Sequence, residues 1–179
     1  MAASRVENGM RTLEVAMGSG EMFHRLIEAN PDGETIGVDL SPNMAARSQA
    51  AARERFPGAS AHCQSADARH LPFRAACFDA AVCCYLFELL PDNQEAAAVA
   101  ELARVLRRGG QLTIILVAQN KASFNAMYRA AGRIAPAFWG RQVEQRMMSL
   151  LGSHGFKVNK DQYVRQLFYS SRVISAGRP

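Results

Sequence analysis

The chain has little of what marks secreted, membrane-spanning or nucleic-acid-binding proteins. Only four cysteines occur, Cys63, Cys77, Cys83 and Cys84, and no two have Cys-x-x-Cys spacing, so neither a disulfide framework nor a cysteine-based metal site is expected. Cys83 and Cys84 are adjacent in an apolar run, where side chains point to opposite faces of a strand, and all four read as reduced core thiols of a cytoplasmic protein. The four histidines, His24, His62, His70 and His154, have no metal-ligand spacing with one another or with a cysteine pair, so no metal is expected. Met1 to Arg11 carries Arg5, Glu7 and Arg11 and lacks an apolar stretch, which is unlike a signal peptide. The run from Ala80 to Phe87 stops at Glu88, too short to span a bilayer. The net charge is +5, but the basic residues are scattered and form no continuous stripe for nucleic acid.

What is there points to a globular α/β protein. In 179 residues, 49% are hydrophobic and 21% charged, enough apolar material for one domain with a real core. Strand and helix signals alternate, which implies a parallel sheet covered by helices on both faces. Strands are predicted at Arg11 to Val15, Glu34 to Asp39, Ala59 to Cys63, Phe78 to Tyr85 and Gln111 to Ala118, with two more near Phe156 to Tyr163 and Leu167 to Ala176. Helices are predicted over Gly20 to Ala29 and from Ser41-Pro42 to about Arg55, where serine is an N-cap and proline sits at N1. Asp92-Asn93-Gln94-Glu95 reads as a capping box. It opens a helix carrying Val99, Leu102, Ala103 and Leu106, closed by Arg107-Arg108-Gly109-Gly110. The whole of 1–179 reads as a single domain with a helical insert at about 120–153.

The most informative stretch is Leu13-Glu14-Val15-Ala16-Met17-Gly18-Ser19-Gly20, followed by Ile36-Gly37-Val38-Asp39-Leu40. Apolar residues around an acid suggest a buried strand, and the small residues after it let the backbone turn sharply and approach a ligand. A helix then begins, so the ligand would lie at its N-terminus. Asp39, ending the next apolar run, is placed to accept hydrogen bonds from a ribose. A dinucleotide site is the competing reading, but its Gly-x-Gly-x-x-Gly pattern needs a small residue where Phe23 stands.

With Asp67-Ala68, Leu71-Pro72-Phe73, Phe78-Asp79, Ser41-Pro42-Asn43-Met44 and Glu101 to Gly110 added in order, nearly the whole chain resembles the class I S-adenosylmethionine-dependent methyltransferases. The resemblance is to the small-molecule branch that includes ubiquinone and menaquinone biosynthesis enzymes. It implies a Rossmann-like, doubly wound sheet of about seven strands, mostly parallel with an antiparallel last strand, and S-adenosyl-L-methionine as cofactor. Glu14 and the Gly18-Ser19-Gly20 turn would hold the methionine end, Asp39 the ribose hydroxyls and Asp67 the adenine amino group. Leu40 and Met44 would pack on the adenine, Ala68 would offer its backbone amide, and Cys83 to Tyr85 would border the methyl group. Glu88 and Tyr85 are candidates for positioning the acceptor or taking its proton.

The chain departs from that pattern twice. Alanine stands at Ala16 where the family usually has glycine, and the expectation is that φ there is negative and the alanine harmless. Only about ten residues precede the first strand, fewer than the substrate-covering helices of relatives, so either a lid comes from elsewhere or the pocket is open. A pocket rim left uncovered would favour a homodimer.

Several residues carry two readings. Asp67 is an adenine acceptor or a turn residue. Glu88 is a substrate-facing acid or a solvated one, and His70 approaches the pocket or stays in a surface loop. Phe124, Met127, Tyr128, Ala131, Ile134 and Phe138, with Asn125, Arg129 and Arg133 on another face, form a core-packing helix or a basic lid over a lipid-like substrate. Trp139 and Arg141 would suit peripheral membrane contact. The expected function is methyl transfer to a small-molecule or lipid-like acceptor, a quinone precursor or phospholipid headgroup first. The alternative is a non-catalytic S-adenosylmethionine-binding partner subunit.

Overall fold

The computed structural model describes residues 5–91, 93–118, 143–165 and 170–179. Strand β1 (Arg11–Val15), β2 (Glu34–Asp39) and helix α2 (Pro42–Arg55) take the bounds that the sequence pattern predicts. Helix α1 spans Glu21–Ala29, and β3 (Ser60–Ser65) and β4 (Phe78–Cys84) follow. The chain continues through α3 (Glu95–Val105), β5 (Leu106–Val117), α4 (Glu144–Ser153), β6 (Lys157–Arg165) and β7 (Ser170–Gly177). Ser41 caps α2, accepting from the Met44 amide at 3.4 Å with Pro42 in the first turn, as such a pair should.

The seven strands form one sheet in the order β3-β2-β1-β4-β5-β7-β6. The pairs from β3 to β5 are parallel, and β7 runs antiparallel to both β5 and β6. This is the doubly wound α/β arrangement with an antiparallel last strand. Alternation along the strands divides the core into two clusters. Leu13, Val15, Ile36 and Val38 join α3 and α4 through Val99, Leu102, Met147 and Leu151. Met17, Phe23 and Ile27 join Ala45, Ala52 and Ala61 on α2 and β3. Gly37 permits the second cluster, because a Cβ there would lie 2.4 Å from Met17 Sδ and 3.0 Å from the Phe23 ring.

Two expectations about α3 need correction. The helix starts at Glu95 with Gln94 before it and no side-chain cap; Asp92, the expected cap, lies outside the described residues. Glu95 is buried and paired with Arg146 at 3.2 Å, so tertiary contact rather than local capping holds that helix end. Nor does Arg107-Arg108-Gly109-Gly110 close the helix. Leu106 is already extended (φ −71°, ψ 138°) and paired with Phe78, and the Cys77 amide donates to Val105 O at 2.8 Å. Sheet pairing takes the chain at that point, and Gly109 at φ 76° sits in an irregular start of β5, where the register to β4 shifts between Phe78 and Ala80. Basic residues and glycines suit a bulge as well as a helix end.

The strand order reverses between β1 and β4. In such sheets ligands bind outside the carboxyl ends of the strands at this switch.

Candidate functional site

Four strand ends meet at that switch. The loops after β1, β2, β3 and β4 enclose a cavity of about 340 Å³ lined by Val15, Ala16, Asp39, Leu40, Ala66 to Arg69, Leu86 and Leu89 to Pro91. Its lining is mainly apolar, with Asp39, Asp67 and Arg69 as the charged groups, the composition of a small-molecule site.

The turn after β1 is built around Asp39. The amides of Ala16 and Met17 donate to Val38 O at 2.9 and 3.2 Å, and the Gly18 amide donates to Asp39 Oδ2 at 2.9 Å. The other oxygen, Oδ1, accepts from the Ser41 amide at 2.9 Å. Each carboxylate oxygen keeps a lone pair free of these contacts, so Asp39 can accept from a vicinal diol while held from behind. Gly20, at φ 83°, precedes α1, and a Cβ there would stand 2.9 Å from Ser48 Oγ, which donates to Gly18 O at 3.2 Å.

Ala16 overturns one expectation. Its φ is +62°, the left-handed region that costs an L-residue with a Cβ roughly 1–2 kcal/mol. The sharp turn that brings the Gly18 amide over Asp39 imposes it. Ala16→Gly should therefore raise the unfolding free energy by ~1 kcal/mol, after the extra backbone entropy of glycine is subtracted. Denaturant unfolding checks this, and a loss of stability would mean that the methyl packs better than the strain costs.

Glu14, next to the wall residue Val15, is itself off the cavity wall and 1% exposed. Its Oε2 has no hydrogen-bond partner, and burial, reinforced by the nearby Asp39 charge, pushes the carboxyl well above its ordinary range. A buried acid with an unsatisfied oxygen is a place where a cation would be welcome.

The other expected residues divide. Ala68 and Leu40 are on the wall, Leu40 being 70% exposed at the mouth. Met44, Gly18, Ser19 and Gly20 are off it, the last three forming the turn beside it. Cys83 packs in the core between Val15 and Ile114 instead of bordering the cavity, and burial raises its thiol pKa. Tyr85, at φ 57°, shares a 2.8 Å hydrogen bond between its hydroxyl and Ser171 Oγ on β7. His70 is exposed in its loop, and the segment from Phe124 to Phe138, with Trp139 and Arg141, lies outside the described residues.

Glu88 is neither solvated nor on the cavity wall. It is 3% exposed, accepts from the Val117 amide at 2.7 Å through Oε1 and leaves Oε2 without a partner. Burial pushes its carboxyl up to about 7, against the Val117 hydrogen bond. Such an acid keeps its proton in the folded protein and loses it in the unfolded chain, so stability should fall as pH rises from about 4.5 to about 7 and then level off. The effect is at most ~3 kcal/mol. Glu88→Gln keeps the acceptor for Val117 and should flatten that fall, which denaturant unfolding at several pH values would reveal.

Arg69 and Leu89 to Pro91 were not legible as wall residues. No spacing marks them; only the folding of their loops brings them there. The Leu71-Pro72-Phe73 loop has a clear physical basis, since the Leu71 amide donates to Glu101 Oε2 at 2.7 Å. Arg104 donates to Leu71 O and Phe73 O at 2.9 and 2.7 Å. Among the described residues no cluster of three or more His, Cys, Asp or Glu could hold a metal, and no helix is long and apolar enough to cross a membrane.

Residues 12–110, which supply every wall of the cavity, match the methyltransferase domain family. The chain belongs to this family. A demethylmenaquinone methyltransferase of Thermus thermophilus is 34% identical over 120 residues, 66% of this chain and 53% of that one. A phosphatidylethanolamine N-methyltransferase of Cereibacter sphaeroides is 31% identical over 130 residues, 70% of this chain and 60% of its own. The fold matches the magnesium protoporphyrin IX methyltransferase of Synechocystis with bound S-adenosylhomocysteine. That likeness has a TM-score of 0.77 at 21% identity, covering 96% of this chain and 75% of the other. The chain spans 40 to 60% of the length of the curated relatives it matches here. The cofactor implied by the family is S-adenosylmethionine, and the residues fit it: an acid with two free acceptor positions for a ribose, an apolar slot for a base, and an unpartnered buried acid for a cationic end.

Proposed function

We propose that this chain transfers the methyl group of S-adenosylmethionine to a small-molecule or lipid-like acceptor, with a quinone precursor or a phospholipid headgroup favoured. The observation that carries the reading is the convergence of Asp39, Ala16 of the turn it organises and the apolar group Leu86, Leu89, Leu90 and Pro91 on one cavity at the switch of the sheet. The relatives named for demethylmenaquinone and phosphatidylethanolamine support the choice of acceptor class. The cofactor supplies an activated methyl whose bond to sulfur breaks as its bond to the acceptor forms, with the electron pair of the broken bond staying on sulfur.

The protein's work is therefore positioning and exclusion of water. Asp39 would hold the ribose, Leu40 and Leu89 would flank the base, and the turn from Ala16 to Gly20 would seat the amino-acid end. Holding an acceptor atom about 3–3.5 Å from the methyl, in line with sulfur, supplies much of the acceleration. An amine acceptor loses a proton around the attack, and Glu88, buried off the cavity wall, is not placed to take it from an acceptor in this cavity. Tyr85 would help to position the acceptor. A second reading, a cofactor-binding subunit without catalysis, draws on the strained Ala16 turn.

Calorimetric titration of the purified chain with S-adenosylmethionine, beside NADH, tests the site. Turnover with quinols, phospholipids, peptide and nucleic acid then tests the acceptor class. Binding of S-adenosylmethionine alone, with methylation of a quinol or phospholipid, is the expected result. Binding without transfer to any of them would favour the subunit reading, and binding of neither nucleotide would end both.

A further inference from the structure

Glu88 is buried and off the cavity wall, and the way β4 ends accounts for its place. In the parallel pair of β4 and β5, Cys84 lies opposite Ile115, and the Tyr85 amide closes the ladder by donating to Ile115 O at 2.8 Å. Tyr85 then takes φ 57°, which turns the chain out of the sheet. Backbone groups of alternate residues in a strand face the same neighbour. The Ala118 amide donates to Ser170 O of β7 at 2.8 Å, so Val117 presents its amide to the side that β4 has left. A partly buried amide in that position needs an acceptor. Glu88 supplies one, its Oε1 accepting from Val117 N at 2.7 Å. The carboxyl stands in for the strand carbonyl that the turn at Tyr85 takes away.

That tie decides where the next residues lie. Phe87, beside it, is fully buried in the main core cluster, and the Leu89 amide closes a tight turn on Leu86 O at 3.0 Å. With Phe87 and Glu88 fixed in this way, Leu86, Leu89, Leu90 and Pro91 come to line the cavity. Leu89 is exposed, so burial does not hold it there; the turn and the neighbouring Glu88 do.

From this geometry we infer that Glu88 is a positioning residue of the nucleoside site: it fastens the loop of residues 86–91 to the end of β5 and thereby sets the apolar wall against the base. The inference rests on the nucleoside reading of the cavity proposed above. It gives this acid a part in holding the cofactor and none in moving a proton. What residue 88 must offer is an acceptor oxygen, not a charge. Either protonation state of the carboxyl keeps an acceptor for Val117, and so does a glutamine amide.

The test is calorimetry on the full chain at about pH 6, where Glu88 keeps its proton and glutamine matches it in charge. S-Adenosylhomocysteine and adenosine are the probes. Glu88→Gln should bind both within about twofold of wild type. Glu88→Ala leaves the Val117 amide without its acceptor and should lose about tenfold for each ligand. Equal losses for the two probes locate the defect at the nucleoside, which both carry, and not at the amino-acid end. Glu88→Leu fills more of the space without offering an acceptor; it should show the same loss and replaces the alanine variant if that one does not fold. Phe156→Leu trims a core residue off the cavity wall and should lower stability while leaving both dissociation constants unchanged, which separates loss of the wall from loss of stability. A folded alanine or leucine variant that binds both probes as tightly as wild type would overturn the proposal, because the wall would stand without the tie. So would a glutamine variant as weak as the alanine one. Failure of the wild type to bind either probe would bring down the nucleoside reading and this proposal with it, whereas wild-type binding with unaffected variants removes only the role of Glu88.

Discussion

Asp39→Ala should reduce affinity for S-adenosylmethionine by roughly 10²- to 10⁴-fold. Two hydrogen bonds from a ribose to a carboxylate contribute about 1.5–3 kcal/mol each. The same substitution also strips the Gly18 and Ser41 amides of the acceptors that hold them at 2.9 Å, so the turn loses its organiser along with the ligand. Calorimetry gives the affinity, and circular dichroism confirms that the sheet survives. Asp39→Asn separates the two effects. An amide has one oxygen instead of two, so it should keep one of the backbone contacts and recover part of the loss. An alanine variant that binds as tightly as wild type would show that the ribose is held elsewhere and would overturn the site.

The second large effect concerns Glu14 and pH. Its carboxyl is raised by burial and by Asp39, so wherever the free protein holds that proton a cationic ligand must drive it off. Affinity for S-adenosylmethionine should therefore increase with pH, by up to about tenfold per unit below the raised pKa, and level off above it. Binding in two buffers of different ionisation enthalpy should report a released proton. Glu14→Gln should abolish both the proton release and the pH dependence and weaken binding at alkaline pH by about 10- to 100-fold. It should at the same time stabilise the free protein above the ordinary carboxylate range, because folding no longer has to protonate the carboxyl or bury its charge. A variant that loses affinity without losing the pH dependence would mean that Glu14 serves only to pack β1. The opposite signs of the affinity and stability changes are what separate a ligand-binding acid from a structural one.

The residues differ in how far their neighbours in sequence decide their environment. The bounds of β1, β2 and α2 follow from local signals alone: an apolar run ended by small residues, an acid at the strand end, and a serine-proline pair starting a helix. The place of Asp39 at the end of β2 was legible because an apolar run stops there, just before the serine-proline start of a helix. Glu88 was not, since the same Leu-Phe-Glu-Leu-Leu stretch suits a solvated loop or a buried one. Burial is settled by the Val117 amide 29 residues away. Cys83 was assigned to the methyl group from its place at the end of β4, but its neighbours across the sheet, Val15 and Ile114, put it in the core.

The strand–helix alternation, the order of the motifs and the glycine-rich turn were determined by the sequence itself, because they arise from periodicities and backbone preferences that act over a few residues. Tertiary structure alone decided the positive φ of Ala16, the extended path of Leu106 to Gly110, the burial of Glu14 and Glu88, and the hydrogen bond from Arg69 to Gln94. Each of these depends on which groups a distant strand or helix brings within hydrogen-bonding or packing range. Where a contact spans tens of residues, local pattern leaves two or more outcomes of similar energy, and the packing of the sheet selects one.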